Sequence, residues 1–376
     1  MRKLLIGFVA LLAVGAAGYY AFWTQQRPAG HYLSDLRVQL DVNEGTPGDN
    51  GNLLGVQPEL YPTDYQSPER LQRKLQAYLE QARDMGLLNT RTIVVLPEHI
   101  GTWLWAAGEK DELYQAAAQQ EANNWLAASN PLNFAGALLT AKGEDRLRDA
   151  YLRTKAQAMV AQYQQLFGGL AKTFGVTVVG GSIVLPNPVV QGSQLQTRSG
   201  PLYNVSVVFG ANGAPLGQPQ RQHFPSYAAR SYIEPADGPE FSVVDTPAGR
   251  LGVLIGADSW YPANYAQLDK QAVQLIAVPA SVNGRGVWAS PWRGYTGLST
   301  PNEVSLKPGE VSEGDAWHRL TLAGKAPSSA AVAGVSVFMH GQFWEQASEG
   351  QSFVSHLGEN HGATEGRGAR LINVWL

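Results

Sequence analysis

The sequence predicts an α/β protein, because apolar strand segments alternate with amphipathic helices along its 376 residues. The clearest unit is a helix at residues 67–86, where Ser67 suits the N-cap and Pro68 the first turn. The apolar run at residues 93–96 then predicts a strand that ends close to Glu98. Ligands of α/β sheets collect at the carboxyl ends of strands. Glu98 is therefore a first candidate for a functional site.

The other elements follow from the same kinds of pattern, taken in chain order. An alternating segment predicts a strand at residues 36–42, and a segment rich in Gly, Pro, Asn and Asp predicts a loop at 44–66. A long helix is predicted at about 145–174. Apolar runs then predict strands, which lie at residues 178–182, 202–209 and 275–280. A further buried strand is predicted to run through residues 254–255 into a sharp turn.

Two aromatic-rich segments, residues 99–145 and 281–330, are long for connections within a compact domain. Such segments are usually functional. We expect them to form a rim, a lid or a contact surface beside the site. The alternative is surface elaboration without a function.

The N-terminus is predicted to be a targeting segment. Arg2 and Lys3 precede the uncharged run 4–23, and about 20 apolar residues span a bilayer. Basic residues stay on the cytoplasmic side, so the main domain, residues 35–376, should be extracytoplasmic (periplasmic) behind a tether at 24–34. Aromatic residues that suit the outer interface close the run: Tyr19, Tyr20, Phe22 and Trp23. A signal peptide cleaved near residues 14–17 is the alternative to this single-pass anchor.

Composition narrows the range of functions. The net charge is −3 and only 16% of residues are charged, which gives no basic surface for nucleic acid. The chain has no cysteine, so an exported domain must be held together without disulfides. We expect no cofactor and no metal ion. The composition leaves open whether the chain forms a homo-oligomer.

The most informative motif lies at residues 254–262, where an apolar run enters a sharp turn with Gly256, Asp258 and Pro262. Hydrolases of several folds place a nucleophile at such a turn. The motif resembles the nucleophile motif of the nitrilase (carbon-nitrogen hydrolase) superfamily, in which a cysteine stands at the position of Gly256. The resemblance implies a four-layer α-β-β-α sandwich, with two sheets face to face and helices outside.

Further family motifs occur in the same order along residues 35–376. They are an apolar strand ending in Pro97-Glu98, a Gly180-Gly181-Ser182 strand end, a Tyr203-Asn204 strand, Arg221 two residues before His223, a Pro279-Ala280 strand end and Gly350-Gln351-Ser352. In the family, the slot of Arg221 holds a catalytic lysine. By this resemblance Glu98, Arg221 and Gly256 occupy the three catalytic positions.

The usual chemistry of the family requires a thiol that attacks an amide or nitrile carbon. Gly256 has no atom that can attack and later leave. Arg221 stays protonated and cannot shuttle protons, although it can stabilise negative charge. Gly256 suits a strained turn, and Asp258 and Pro262 are expected to support it. We predict a buried charge pair between Glu98 and Arg221.

Three other residues near these motifs have alternative interpretations. Ser259 is a substitute nucleophile or, as we prefer, a helix cap. His223 is interpreted as a structural support of the pocket. Glu234 is the nearest candidate for the second glutamate that the family often carries.

Three functions are compatible with these residues. The first is a membrane-tethered protein that binds a small molecule or a protein partner and lacks cysteine-dependent hydrolase activity. The second is an amide hydrolase in which Glu98 activates water and Arg221 stabilises the oxyanion. The third is a relative of the enzymes that acylate lipoproteins, which also need the missing cysteine.

Overall fold

The computed structural model describes residues 2–27, 33–297, 299–322 and 331–376. In these ranges the helices are α1 (Arg2–Gln25), α2 (Pro68–Asp84), α3 (Asp111–Gln115), α4 (Gln119–Ser129), α5 (Pro131–Thr140), α6 (Arg146–Tyr163), α7 (Gly169–Phe174), α8 (Tyr227–Arg230), α9 (Pro262–Lys270) and α10 (Glu313–Leu320). The strands of the first half are β1 (Val38–Glu44), β2 (Asn52–Gln57), β3 (Glu59–Leu60), β4 (Thr92–Val95), β5 (Thr177–Val179), β6 (Ile183–Gln191), β7 (Gln194–Phe209) and β8 (Pro215–Arg221). The strands of the second half are β9 (Val244–Thr246), β10 (Gly249–Val253), β11 (Leu275–Ala280), β12 (Val282–Asn283), β13 (Ala333–Phe338), β14 (His340–Phe343), β15 (Gln346–Glu349), β16 (Phe353–His356), β17 (Glu359–Gly362) and β18 (Ala369–Trp375).

Two mixed sheets form the centre of the domain. The first has the order β1-β18-β2-β4-β5-β7-β6, with β8 paired to β7, and the second has the order β17-β16-β13-β11-β10-β9. A small third sheet, β12-β15-β14-β3, lies beside them. One buried apolar cluster takes residues from both large sheets, which therefore face each other. The predicted four-layer α-β-β-α sandwich is confirmed.

Strand alternation explains the layers. In β4, Ile93 and Val95 face the second sheet, whereas Val94 packs in the cluster that contains α2 and α6. In β11, Ala277 lies between the sheets, while Ile276 packs in the cluster that contains α9 and α10. Successive side chains of a strand point to opposite faces, so a strand in this position must be apolar on both. The uninterrupted apolar runs in the sequence are the consequence.

The predicted loop at residues 44–66 is wrong in its central part. That segment contains β2, which is fully buried and pairs with β18 on one side and with β4 on the other. Gly55 favours a loop in the sequence, but in the structure it is a strand residue in close contact with a neighbouring strand. A Cβ at this position would come within 2.6 Å of the Ile372 side chain. A glycine inside a strand can mark such a close approach.

The two long helices agree with the sequence. Ser67 caps α2 by accepting a hydrogen bond from the backbone N–H of Arg70, and Gly86 follows the helix with a φ of 76°. Asp145 caps α6 in the same manner. A π-helical turn at residues 164–168 joins α6 to α7, so the predicted helix at 145–174 is nearly continuous.

The two aromatic-rich segments differ in structure. Residues 99–145 contain a 3₁₀ turn at Thr102–Ala106 and the helices α3, α4 and α5. Residues 281–330 contain β12 and α10, and the part at 298 and 323–330 lies outside the described residues. The predicted tether also falls partly on residues 28–32, which lie outside them. In the N-terminal helix α1, the stretch of residues 5–25 is long and apolar enough to cross a membrane. This stretch is not buried by the rest of the protein.

Candidate active site

The candidate site lies where the two large sheets meet at the carboxyl ends of several strands. Glu98 follows β4, Ser281 follows β11, and Gly256 follows β10. The backbone N–H of Glu98 donates to the carbonyl of Ala280, which ties an end of the first sheet to an end of the second. A cavity of about 450 Å³ opens at this junction.

Glu98 stands at the floor of the cavity and is only 5% exposed. Its Oε1 accepts hydrogen bonds from Asn204 Nδ2 at 2.9 Å and from Gln222 Nε2 at 3.2 Å. Its Oε2 accepts one from Ser281 Oγ at 2.7 Å. An ionised carboxylate is an acceptor only, so three donors suit the charged form. A set of neutral donors, rather than a cation, thus holds this buried charge.

A side chain on Gly256 would meet the Glu98 carboxylate in this arrangement. A Cβ on Gly256 would lie 2.9 Å from Glu98 Oε2 and 3.1 Å from Oε1. Gly256 also has a φ of +53°, which other L-residues adopt rarely and at a cost. The carboxylate of Glu98 therefore lies against the residue that the sequence analysis expects at the nucleophile position.

The predicted pair between Glu98 and Arg221 is wrong. The Arg221 guanidinium donates to Asn187 Oδ1 at 2.8 Å and lies 3.9 Å from the centre of the Tyr203 ring. The described residues include no ion pair between Arg221 and Glu98. Because strand side chains alternate, Arg221 points away from the side chain of the next residue, Gln222. Arg221 lies outside the cavity.

Gln222 occupies the inward position that the sequence analysis gave to Arg221. Its Nε2 reaches Glu98 and also the carbonyl of Ile255 at 3.2 Å, and its Oε1 accepts from Asn204 at 3.1 Å. Its backbone N–H donates to the carbonyl of Asn204. The period-two pattern could have found Gln222, since Asn204 marks the inward face of the paired strand. The search for a basic residue favoured the wrong neighbour.

Asp258 fixes the segment that carries Gln222. Its carboxylate accepts hydrogen bonds from the backbone N–H groups of His223 at 3.0 Å and Phe224 at 2.7 Å. Burial raises the pKa of Asp258 to about 8, against the opposing effect of these hydrogen bonds. Pro262 is the first residue of α9. Both residues thus support the turn and its neighbours without reaching the cavity.

The remaining candidates lie outside the cavity. His223 packs its ring against Phe241, with 4.3 Å between ring centres, and burial lowers its pKa. Ser259 is fully buried and its hydroxyl donates to the carbonyl of Gly256. It is not the cap of α9, because Tyr261 holds that position. Glu234 is exposed on the surface.

The sequence analysis did not identify His99, which lines the cavity beside Glu98. Its Nε2 lies 3.8 Å from Glu98 Oε1, and its Nδ1 lies 3.2 Å from Thr102 Oγ1. Burial lowers the pKa of His99, and its φ of 62° is unusual for a residue with a side chain. The backbone conformation that aims this ring at the cavity has no signal in the sequence.

Both aromatic-rich segments contribute to the cavity wall, together with α6 and the segment after β8. The aromatic residues of the wall are Trp103, Trp105, Tyr151, Phe224, Tyr232, Trp260 and Trp317. Two exposed arginines, Arg148 and Arg293, lie at the solvent side of the lining. Glu313 also lines the cavity, and burial raises its pKa. The cavity thus combines a polar floor, aromatic walls and a rim of mixed charge.

Comparisons with solved structures agree with this fold. The solved carbon-nitrogen hydrolase from Helicobacter pylori G27 is similar at a TM-score of 0.54 and 16% identity, over 86% of this chain and 88% of that one. A mutant amidase from Nesterenkonia sp. AN1 in complex with acrylamide is similar at 0.50 and 12%, over 88% and 93%. Another mutant of that amidase, with the acetamide moiety of fluoroacetamide on its active-site cysteine, is similar at 0.51 and 12%, over 88% and 92%.

At these identities the solved structures establish the fold alone. No curated protein sequence matches the chain. The family model for carbon-nitrogen hydrolases matches residues 57–300, which is more than half of the chain and includes Glu98, Gln222 and Gly256. The chain therefore belongs to the carbon-nitrogen hydrolase family.

Proposed function

We propose that this protein is a membrane-tethered binding protein that holds a small polar molecule in its cavity without forming a covalent bond to it. One observation carries the proposal: the Glu98 carboxylate lies 2.9 Å from the place where a side chain on Gly256 would begin. Covalent catalysis requires a nucleophilic atom at that place. Here the general base of the family is packed against a glycine instead.

The other positions around Glu98 favour binding over catalysis. In the family a lysine stabilises the developing oxyanion, whereas here the inward residue is the neutral Gln222. The nearby hydroxyl of Ser259 is buried against Gly256 and Thr321, away from the cavity. The acyl-transfer alternative depends on the same missing thiol.

The lining indicates what kind of molecule fits. Pockets of about 300–1,000 Å³ with apolar walls and a few fixed polar groups are typical of small-molecule sites, and this cavity has about 450 Å³. The floor offers the amide of Gln222, the Glu98 carboxylate and the hydroxyl of Ser281. The N–H groups of Gln222 and the O–H of Ser281 are already engaged, so the floor offers oxygen acceptors to which a primary amide can donate. Acrylamide, which is bound in the mutant amidase of similar fold, is the first probe.

Anchoring completes the proposed function. The basic residues Arg2 and Lys3 precede the apolar stretch of α1, which favours a cytoplasmic N-terminus and an extracytoplasmic main domain. We therefore place the binding site on the outer side of the membrane.

The test is binding of acrylamide and propionamide to the full chain in detergent micelles, measured by ligand-observed NMR. Gln222→Leu should reduce the binding signal at least several-fold, because it removes an amide from the floor. Gln220→Leu is the matched control, since Gln220 is equally buried on β8 but does not line the cavity. Equal loss in both variants would contradict the assignment of the site. If the protein released ammonia from these amides and Glu98→Gln abolished that release, the function would be hydrolysis by activated water rather than binding.

A further inference from the structure

Helix α5 presents an apolar face that has no partner among the described residues. Leu132, Ala135, Gly136 and Leu139 follow the i, i+3, i+4, i+7 spacing of one helical face, and all four are exposed. Leu132 is 86% exposed and Leu139 is 85% exposed. An apolar stripe at this spacing normally faces a core or a membrane.

The opposite side of α5 already has its packing partner. Phe134 stacks on Tyr151 of α6 with 5.1 Å between ring centres, and Ala137 is buried. The helix is therefore apolar on both sides, and the protein covers only one of them. A surface helix that needed only to pack on α6 would carry polar residues outside.

The uncovered face begins close to the place where α1 meets the main domain. The Tyr20 hydroxyl donates to the carbonyl of Ala128 at 2.5 Å, and the rings of Trp23 and Trp125 lie 6.4 Å apart. Arg27 Nη2 donates to the carbonyl of Ser129 at 3.2 Å. These contacts attach the end of α1 to the last turn of α4, immediately before α5 starts.

The position of Tyr20 along α1 gives the depth of this contact. The apolar stretch of α1 covers residues 5–25, and at 1.5 Å per residue Tyr20 lies about 8 Å from its end. Aromatic residues at that level occupy the membrane–water interface. Since α5 starts three residues after Ala128, its first turn is held near the same level.

We propose that α5 lies in the outer interface of the bilayer, with the face formed by Leu132, Ala135, Gly136 and Leu139 among the lipids. This inference depends on the proposed membrane anchoring by α1. Interfacial helices lie in the membrane plane with their apolar face between headgroups and acyl chains. The exposed Lys142 and Arg146 follow the helix and suit anionic headgroups, with the exposed Glu144 between them. The protein then contacts the membrane at two elements.

The absence of cysteine in the sequence allows a direct test. Single variants Ala135→Cys, Ala266→Cys and Ala10→Cys are labelled with an environment-sensitive fluorophore, and the full chain is reconstituted into vesicles of phosphatidylcholine and phosphatidylglycerol. Ala266 is the matched control, because it is an exposed helical alanine on α9, which covers the outer face of the second sheet. Ala10 lies in α1 and reports the anchor.

Lipids with a nitroxide near the headgroup should quench the probe at position 135 at least threefold more than the probe at position 266. Quenching at position 10 with equal, weak quenching at positions 135 and 266 would overturn the inference and leave the anchor intact. Failure of quenching at position 10 would overturn both the proposed anchor and the proposed contact of α5 with the lipids. Disulfide formation between two unlabelled Ala135→Cys chains under an added oxidant, with no lipid quenching of the labelled protein, would assign this face to a second copy instead.

Discussion

At the scale of single residues, the site depends on the contact between Glu98 and Gly256. The family motif survives around this position, since Asp258 and Pro262 still fix the turn and the start of α9. Glycine at position 256 leaves space for the Glu98 carboxylate. A chain without cysteine thus keeps this turn.

A pair of glycine substitutions measures this contact. Gly256→Ala and Gly175→Ala both place a side chain at positive φ, +53° and +66°, but only position 256 has the Glu98 carboxylate within reach. We expect Gly175→Ala to cost about 1–2 kcal/mol of stability through backbone strain alone. Gly256→Ala should cost more by at least about 1 kcal/mol, because the carboxylate must move away from its donors. Chemical denaturation gives both values, and equal costs would show that Glu98 is not held against Gly256.

Arg221 and Gln222 show how far residue-level prediction reaches. The sequence analysis predicted no strand at residues 215–221, where β8 lies, and its choice of Arg221 missed the inward residue by one position. Strand side chains alternate, so a shift of one residue reverses the face. Deciding between the two neighbours required the register of β8 on β7, in which Val205 opposes Arg221. The buried pair that the sequence predicted at the site is absent there.

At the scale of elements, a buried charge cluster attaches the first aromatic-rich segment to the body of the domain. Glu109 has a fully buried side chain, and its Oε1 accepts from Lys155 Nζ of α6 at 2.5 Å. Its Oε2 accepts from Ser129 Oγ at 2.8 Å and from Asn130 Nδ2 at 3.0 Å, at the junction of α4 and α5. The cluster therefore links a wall of the cavity to the long helix beneath it.

Removing the charge of Lys155 should destabilise the contact between α6 and the junction of α4 and α5. We expect Lys155→Met to destabilise the protein by up to about 3–5 kcal/mol. The buried Glu109 carboxylate loses the nearer of its two charged partners, while Arg27 Nη2 remains 3.6 Å from Oε2. Lys172→Met, at an exposed lysine of α7, is the control and should have little effect. Adding Glu109→Gln to Lys155→Met should restore part of the loss. Thermal unfolding of the two single variants and the double variant measures the changes in stability. Strictly additive changes would contradict the coupling between Glu109 and Lys155.

The elements themselves were predictable to different degrees. Helix α2 could be predicted with both ends, since Ser67 and Gly86 act locally on its first and last turns. Strand β2 could not, because its glycine is required by contact with Ile372, more than 300 residues away in sequence. Residues that act on their own turn of helix predict local structure. A residue such as Gly55, which is required by a contact with a distant part of the chain, misleads a prediction made from its neighbours in sequence.

At the scale of the whole molecule, the packing of α1 on the sandwich relates the N-terminal helix to the cavity. The cavity lies at one end of the two sheets, and α4 contributes both to its lining and to the contact with α1. Attachment to a membrane would therefore fix the orientation of the cavity relative to the bilayer. Without α1 the same domain would bind in solution with no defined orientation.

The anchor makes a prediction for the intact protein. The full chain should stay in the membrane fraction after an alkaline wash, with its N-terminal segment intact. Val14→Lys should release it, since a charge at the centre of a span costs about 3 kcal/mol, whereas Gln26→Lys, just beyond the apolar stretch, should not. A soluble native protein that begins near Ala17 would show a cleaved signal peptide instead.

The sequence by itself determined the family, the four-layer fold, the helix that is long enough for a membrane and the absence of a thiol. Each of these depends on composition, on local periodicity or on residues close together in the chain. The tertiary structure alone decided that Gln222 rather than Arg221 faces Glu98, that His99 joins the cavity and that β2 is a central strand. These facts depend on strand register and on contacts between distant segments, because burial and hydrogen-bond partners arise only when the sheets have packed together.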